Sequence, residues 1–281
     1  MDYTRQTRFS DPRQHAALFD PLPADPAGIG EVVRNLAVHY RASGIEFPPD
    51  RLAEIDSRWV DRMLDVDQRR HATPLAEPRP PEERVVGCCR DFTLLTVAAL
   101  RHKGVPARSR IGFADYLDPS FHHDHVIAEY WDGARWIATD SQFDMPDVRL
   151  TTGGLRTAAQ VWSAYRRGEI DVETFGVGGD LPFRGNWFVR NYVIYEVAHR
   201  LGDELLLWDV WGDVSLGLGD DLALIDEVAD LLQSADAGDR SAERKLAERY
   251  AGDPRLQPGG EILCASPRTG EPFPVSLLRS T

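Results

Sequence analysis

The stretch between Gly87 and Asp140 constrains this chain more than any other. Gly87 precedes residues 88–102, a run rich in Leu, Ala and Thr, and Gly104-Val105-Pro106 ends it. A glycine stop followed by proline terminates a helix, because glycine takes the left-handed turn and proline cannot continue the ladder. Three strand-like segments come next, residues 107–113, 123–131 and 135–139, with Asp132-Gly133 as a hairpin signal between the last two. A helix feeding directly into an antiparallel sheet predicts an α+β fold.

The flanks are less constrained. The first 25 or so residues are polar and proline-punctuated, which suggests an arm on the surface. Apolar spacing at Ile29, Val32, Val33, Leu36 and Ala37 predicts a helix over 29–41, and a polar-faced helix is expected over 50–67. Residues 71–84 carry Pro74, Pro78, Pro80 and Pro81 and read as an exposed loop. Beyond Asp144, helices are expected over 157–167, 187–200, 222–232 and 242–250, with a strongly apolar segment at 205–212. The chain therefore divides on sequence into a core, residues 1–185, and a mainly helical C-terminal extension, residues 186–281.

Composition narrows the function. The net charge of −13 repels phosphate backbones, which argues against a nucleic-acid partner. No stretch approaches the roughly 20 apolar residues that a bilayer requires. The first residues lack an apolar core and a small-residue cleavage site, so a cytoplasmic protein without a membrane partner is expected. Three cysteines, Cys88, Cys89 and Cys264, do not make a disulfide framework, and no Cys-x-x-Cys pair exists. The thiols are left for packing or chemistry.

Cys89 falls in the first turn of the predicted helix. Unpaired N–H groups and the helix dipole there favour a thiolate, and the same N–H groups can hold an oxyanion. His125 lies on a strand after that helix, and Asp140 closes the next strand across the hairpin. An antiparallel neighbour can bring a carboxylate beside an imidazole, giving the nucleophile, base and orienter of a catalytic triad.

These residues carry a resemblance. Gly87-Cys88-Cys89-Arg90-Asp91-Phe92-Thr93, then Gly104-Val105-Pro106-Ala107-Arg108, then His125 with Glu129-Tyr130 and Trp136, then Thr139-Asp140 resemble the transglutaminase-like superfamily in content and order. The resemblance implies a papain-like, transglutaminase-core fold: N-terminal helices and a nucleophile-bearing helix packed on an antiparallel sheet. It implies Cys89 as nucleophile, His125 as general base and acid, Asp140 as orienter, and a side-chain oxyanion donor upstream, for which Trp59 is the candidate. Three departures bear on substrate placement: the second thiol at Cys88, Ile127 where an aromatic is usual, and Tyr130 one position early.

Local alternatives remain. By helical register Cys88 shares the face of Phe92, Leu95 and Ala99, which puts Cys88 in the core or at the cleft wall and Cys89 at the site. His123 is a second candidate cleft residue. Arg90 reads as solvent-exposed, and Asp91 as either a first-turn acid or an anchor. The expected activity is acyl transfer or hydrolysis on a small-molecule or peptide amide or ester through a Cys89 thioester, with an amine as an alternative acceptor. Neither a cofactor nor a metal is expected. The competing readings are a non-catalytic binding module on the same fold and a metal-dependent hydrolase built on His122, His123 and His125.

Overall fold

The structure is a computed structural model that describes residues 1–214 and 221–278. In chain order the elements are α1 (Pro26–Leu36), β1 (Ala37–His39), α2 (Pro49–Leu52), α3 (Val60–Arg70), β2 (Val85–Gly87), α4 (Cys89–His102), β3 (Ala107–Ala114), β4 (His122–Trp131), β5 (Trp136–Thr139), β6 (Leu155–Thr157), α5 (Ala158–Arg166), β7 (Phe175–Gly176), α6 (Asn186–Arg200), β8 (Asp209–Val210), α7 (Leu222–Asp236), α8 (Arg240–Gly252), β9 (Glu261–Cys264) and β10 (Phe273–Ser276). The fold is α+β. Strands β5, β4, β3 and β6 form one sheet in that order, with β7 also pairing β4. The chain divides into two compact units, and β3 and β4 each pass from one into the other along the sequence.

The first unit comprises Met1–Arg110, Val126–Val148 and Gly202–Leu206. Its centre is α4, in which every residue from Cys89 to Arg101 is buried, so the helix is covered on all sides and not only along the Phe92, Leu95 and Ala99 stripe. Its C-terminus ends as the sequence predicts. Gly104 takes φ +77, its N–H donates to the Arg101 carbonyl at 2.9 Å, and Val105 N–H donates to the Leu100 carbonyl at 2.9 Å. This is the paired hydrogen bonding of a Schellman cap. The hairpin is equally legible: Trp131 pairs with Trp136, and the Asp132 carboxylate accepts from Ala134 and Arg135 N–H at 2.7 and 2.8 Å.

Three N-terminal expectations change on contact with the fold. The helix predicted over 29–41 stops at Leu36, because Ala37–His39 pairs in parallel with Val85–Gly87 and the ladder takes over the backbone. The helix predicted over 50–67 is broken into α2, a 3-10 turn at Ala53–Asp56, and α3 after an extended Ser57. The arm and the proline-rich loop are packed inward at points. Phe9, Phe19 and Leu75 are buried, and the buried Arg79 guanidinium pairs with Asp67 at 2.9 Å.

The second unit comprises Ile111–His125, Arg149–Leu201 and the described residues from Leu207 onward. Here β3 pairs antiparallel with β6, and β4 pairs in parallel with β7 through His122 and His123. Helices α5, α6 and α7 pack on one another, and α8 packs on α7. Strands β8, β9 and β10 form a small antiparallel sheet that the helical reading of the tail did not anticipate. Alternation along β9 is short and half-exposed, a weak periodic signal.

The end of α8 is tied by Asp253, whose carboxylate pairs with Arg255 at 2.6 Å and Arg249 at 3.4 Å. The Arg255 hydrogen bond, in spite of the cost of burial, holds this carboxyl at about 2 against an ordinary 3.8. A depressed acid contributes stability that is present above its unfolded value and is lost as pH falls through the folded one. The difference in urea midpoint between wild type and Asp253→Asn is therefore expected to be full above about pH 4 and to close as pH falls toward about 2.

Candidate functional site

The first turn of α4 is built by a reciprocal contact. Asp91 N–H donates to the Cys88 carbonyl at 2.9 Å, and the Asp91 carboxylate accepts from Cys88 N–H at 2.8 Å. An acidic third helical residue that reaches back to the cap backbone satisfies a donor the helix cannot satisfy itself. This settles Asp91 as an anchor. It also explains Gly87: a Cβ there would sit 2.5 Å from the Asp91 carboxylate oxygen.

Cys88 is the N-cap residue and Cys89 the first residue of the helix. Cys88 is buried, and Cys89 is 6% exposed. The Cys88 thiol is held well above the ordinary thiol range, first by donating its S–H to Cys89, then by burial, then by the negative charge of Asp91. Cys88 therefore stays protonated at neutral pH, while the sulfur of Cys89 receives its hydrogen bond. Burial likewise pushes the Asp91 carboxyl up, against the pull of the Arg90 guanidinium.

Arg90 overturns the expectation of solvent exposure. It is 1% exposed, donates to Asp91 at 2.9 Å, to the Arg58 carbonyl at 2.6 Å, and to the Glu204 carbonyl at 3.1 Å. A buried guanidinium persists only when its donors find acceptors, and here the acceptors come from three separate chain segments. Its bond to Arg58 ties the peptide before Trp59 to the first turn of α4. Trp59 itself is the cap residue of α3. It lines a pocket of about 370 Å³ with Ala53, Asp56, Ser57, Arg62, Asp65, Val66 and Arg69.

Asp140 follows β5, is 2% exposed, and closes a tight turn through paired hydrogen bonds with Met145 at 2.9 and 3.0 Å. Its Oδ1 accepts from Gln142 and Phe143 N–H at 3.0 and 3.3 Å. Thr139 pairs with Ala128, so by alternation Asp140 takes the other face, that of Ile127 and Glu129. Two hydroxyls to which the sequence reading gave no role lock α4 to this strand pair. Thr93 Oγ1 donates to the Val126 carbonyl at 2.8 Å, and Thr96 Oγ1 donates to Ser141 Oγ at 2.8 Å. Both are buried, and their spacing of one and two helical turns after Cys89 is the one sequence signal that could have found them.

His125 has the same parity on β4 as Ile127 and Glu129, is 2% exposed, and meets the Tyr116 ring edge-on at 6.1 Å between centroids. Its neighbours in sequence are engaged separately. His122 Nδ1 lies 2.8 Å from Asp115, His123 Nδ1 lies 3.2 Å from the Val177 carbonyl, and Asp124 accepts from the Tyr192 hydroxyl. Among the described residues no group of three or more His, Cys, Asp or Glu side chains is arranged to hold a metal.

Comparison with known proteins falls on the same segment. Residues 52–141 match the family model of the transglutaminase-like superfamily. The segment is transglutaminase-like. The match begins at α2, ends one residue past Asp140, and supports cysteine-based catalysis in general. The papain-like, transglutaminase-core expectation for the fold agrees with the helix-then-sheet order found here. No curated protein matches the chain. A solved structure of a candidate cysteine protease from Cytophaga hutchinsonii is 19% identical, covers 56% of this chain and 47% of its own, and has a TM-score of 0.34. The aligned region thus spans less than half of that chain's length.

The cap geometry makes a prediction. Gly87→Ala forces the Asp91 carboxylate away from the cap, at a cost on the order of 1–3 kcal/mol as in other overpacked sites. A lowered thermal midpoint is expected, together with slower thiol labelling at Cys89. An unchanged midpoint would show that Asp91 is not needed there.

Proposed function

We propose that this protein is a cysteine-dependent acyl-transfer enzyme acting on a small-molecule or peptide amide or ester. The observation that carries the reading is the start of α4, where the Asp91 cap contact makes Cys89 the first helical residue. Cys89 stands at the positive end of a buried 14-residue helix, where first-turn N–H groups and the dipole favour a thiolate. Cys88, the cap residue, stands outside that first turn.

In this reading the Cys89 thiolate attacks the donor carbonyl and forms a tetrahedral oxyanion. First-turn N–H groups stabilise that charge, with Trp59 as a second donor from the segment that Arg90 tethers. Collapse expels an amine or alcohol, which takes a proton from His125, and a Cys89 thioester remains. Water or an amine then attacks the thioester, giving up its proton to His125, and the thiolate returns. Asp140 orients the imidazole. Cys88 and His123 line the cleft in this proposal. The burial of Cys89 favours a water-poor reaction centre, in which a bound amine competes with water. Among the described residues no helix is long and apolar enough to cross a membrane. A reducing, cytoplasmic setting belongs to the same reading, because Cys88, Cys89 and Cys264 are free thiols.

The test is intact-mass spectrometry after incubation with a panel of amide and ester donors, with peptide mapping of any adduct. Cys89→Ser is expected to abolish the thioester adduct, while Cys88→Ser retains most of it. His125→Ala is expected to slow acylation of amide donors by about 10²–10⁴-fold, the usual contribution of a general base, and Asp140→Ala to lower it strongly. Undiminished thioester capture in Cys89→Ser would reverse the assignment.

A further inference from the structure

Between β3 and β4 the chain makes a short connection, residues 115–121, that is held far more firmly than its length requires. Asp115 anchors one end. Its N–H donates to the Gly154 carbonyl at 2.9 Å, and its carboxylate accepts from Gly153 N–H at 2.9 Å and Arg156 Nη2 at 2.8 Å. The same carboxylate lies 2.8 Å from His122 Nδ1, which fastens the start of the connection to its end. Asp118 closes the middle by accepting from Ser120 N–H and Oγ, both at 2.7 Å. Phe121 is buried and meets the His123 ring at a 57° tilt with centroids 5.0 Å apart.

The residue after this anchor is Tyr116. Its ring stands at 82° to the His125 imidazole with centroids 6.1 Å apart, an edge-to-face contact within the range such pairs prefer. An imidazole on a strand has rotational freedom about χ2 unless something packs against its plane. The Tyr116 ring is one of the groups packed on this buried imidazole, and the Asp115 anchor holds the residue before it.

We infer that Tyr116 is a positioning residue: its ring, held by the Asp115–Gly153–Arg156–His122 cluster, sets the plane of the His125 imidazole for proton transfer. The inference rests on the acyl-transfer reading above. The contact is made by the ring, so the hydroxyl is dispensable and phenylalanine should serve.

Turnover of 4-nitrophenyl acetate by the full-length protein tests it, read as nitrophenolate release, with the acylation burst confirmed by mass at Cys89. An activated ester has a leaving group that needs no proton, so residual acylation stays measurable in a His125→Ala background. Tyr116→Ala is expected to slow the steady nitrophenolate release that follows the burst, the step in which water gives its proton to His125, by about 10–100-fold at saturating ester, the scale of a misplaced catalytic group, with KM within about threefold. Tyr116→Phe is expected to stay within about twofold of wild type, and Tyr116→Leu, which keeps bulk without the ring, to resemble the alanine variant. In the His125→Ala background Tyr116→Ala should change the rate by less than about twofold, since residues acting through one group are not additive. An equal loss in both backgrounds would reduce Tyr116 to a structural role. A wild-type burst with an unaffected Tyr116→Ala variant removes this inference alone, whereas a wild type that never acylates at Cys89 removes the enzyme reading as well.

Discussion

The hydrogen bond from Cys88 N–H to the Asp91 carboxylate, 2.8 Å long, is the contact on which the site depends. It fixes where α4 begins and so which of two adjacent cysteines becomes the first helical residue. Gly87 exists to let that carboxylate approach. With the boundary set, the two sulfurs differ in kind. Cys88 belongs to the cap and is driven toward the protonated form, while Cys89 stands in the first turn, where partial positive charge gathers. A one-residue shift of the helix start would exchange their roles.

Keeping α4 in place requires solving a second problem, the burial of guanidinium groups. Arg90 and Arg101 both lie on α4 and are almost wholly buried. Arg90 is satisfied by carbonyls of Ser57, Arg58 and Glu204 and by Asp91. Arg101 is satisfied by the Ala107 carbonyl, Ser10 and the Glu204 carboxylate, the last two at 2.9 Å. Removing an acceptor from such a network leaves a buried charge uncompensated, which costs far more than an exposed pair contributes. The N-terminal arm and residues 202–206 are thereby bound to the helix that carries Cys89. A helix so held can present a reactive sulfur in a fixed place.

The sequence made the middle of the chain legible because several local signals agreed there. The Gly104 stop, the Asp132-Gly133 turn and the three strands all appear where spacing put them, within a residue or two. Asp91 was legible only as a choice between two roles, since an acid in a first turn looks the same whether it faces solvent or the cap. Arg90 was misread because its partners are carbonyls of residues 57, 58 and 204, distant in sequence and silent in any local pattern. The helix over 29–41 was cut short for the same reason: β2, nearly fifty residues later, recruits Ala37–His39 into a ladder. Trp59 was singled out on type alone. The structure adds the tether from Arg90 to Arg58 and a pocket that Trp59 helps to line.

The account's central claim is that the helix start makes Cys89, and neither of the other thiols, the reactive sulfur. Brief exposure to iodoacetamide at neutral pH, quenched and mapped peptide by peptide, measures it most directly. All three thiols are buried, so the order of labelling reports the first-turn position and not exposure: Cys89 is expected to be carbamidomethylated well before Cys264 and Cys88. Label that reaches Cys264 as fast as Cys89, or that lands first on Cys88, would contradict it.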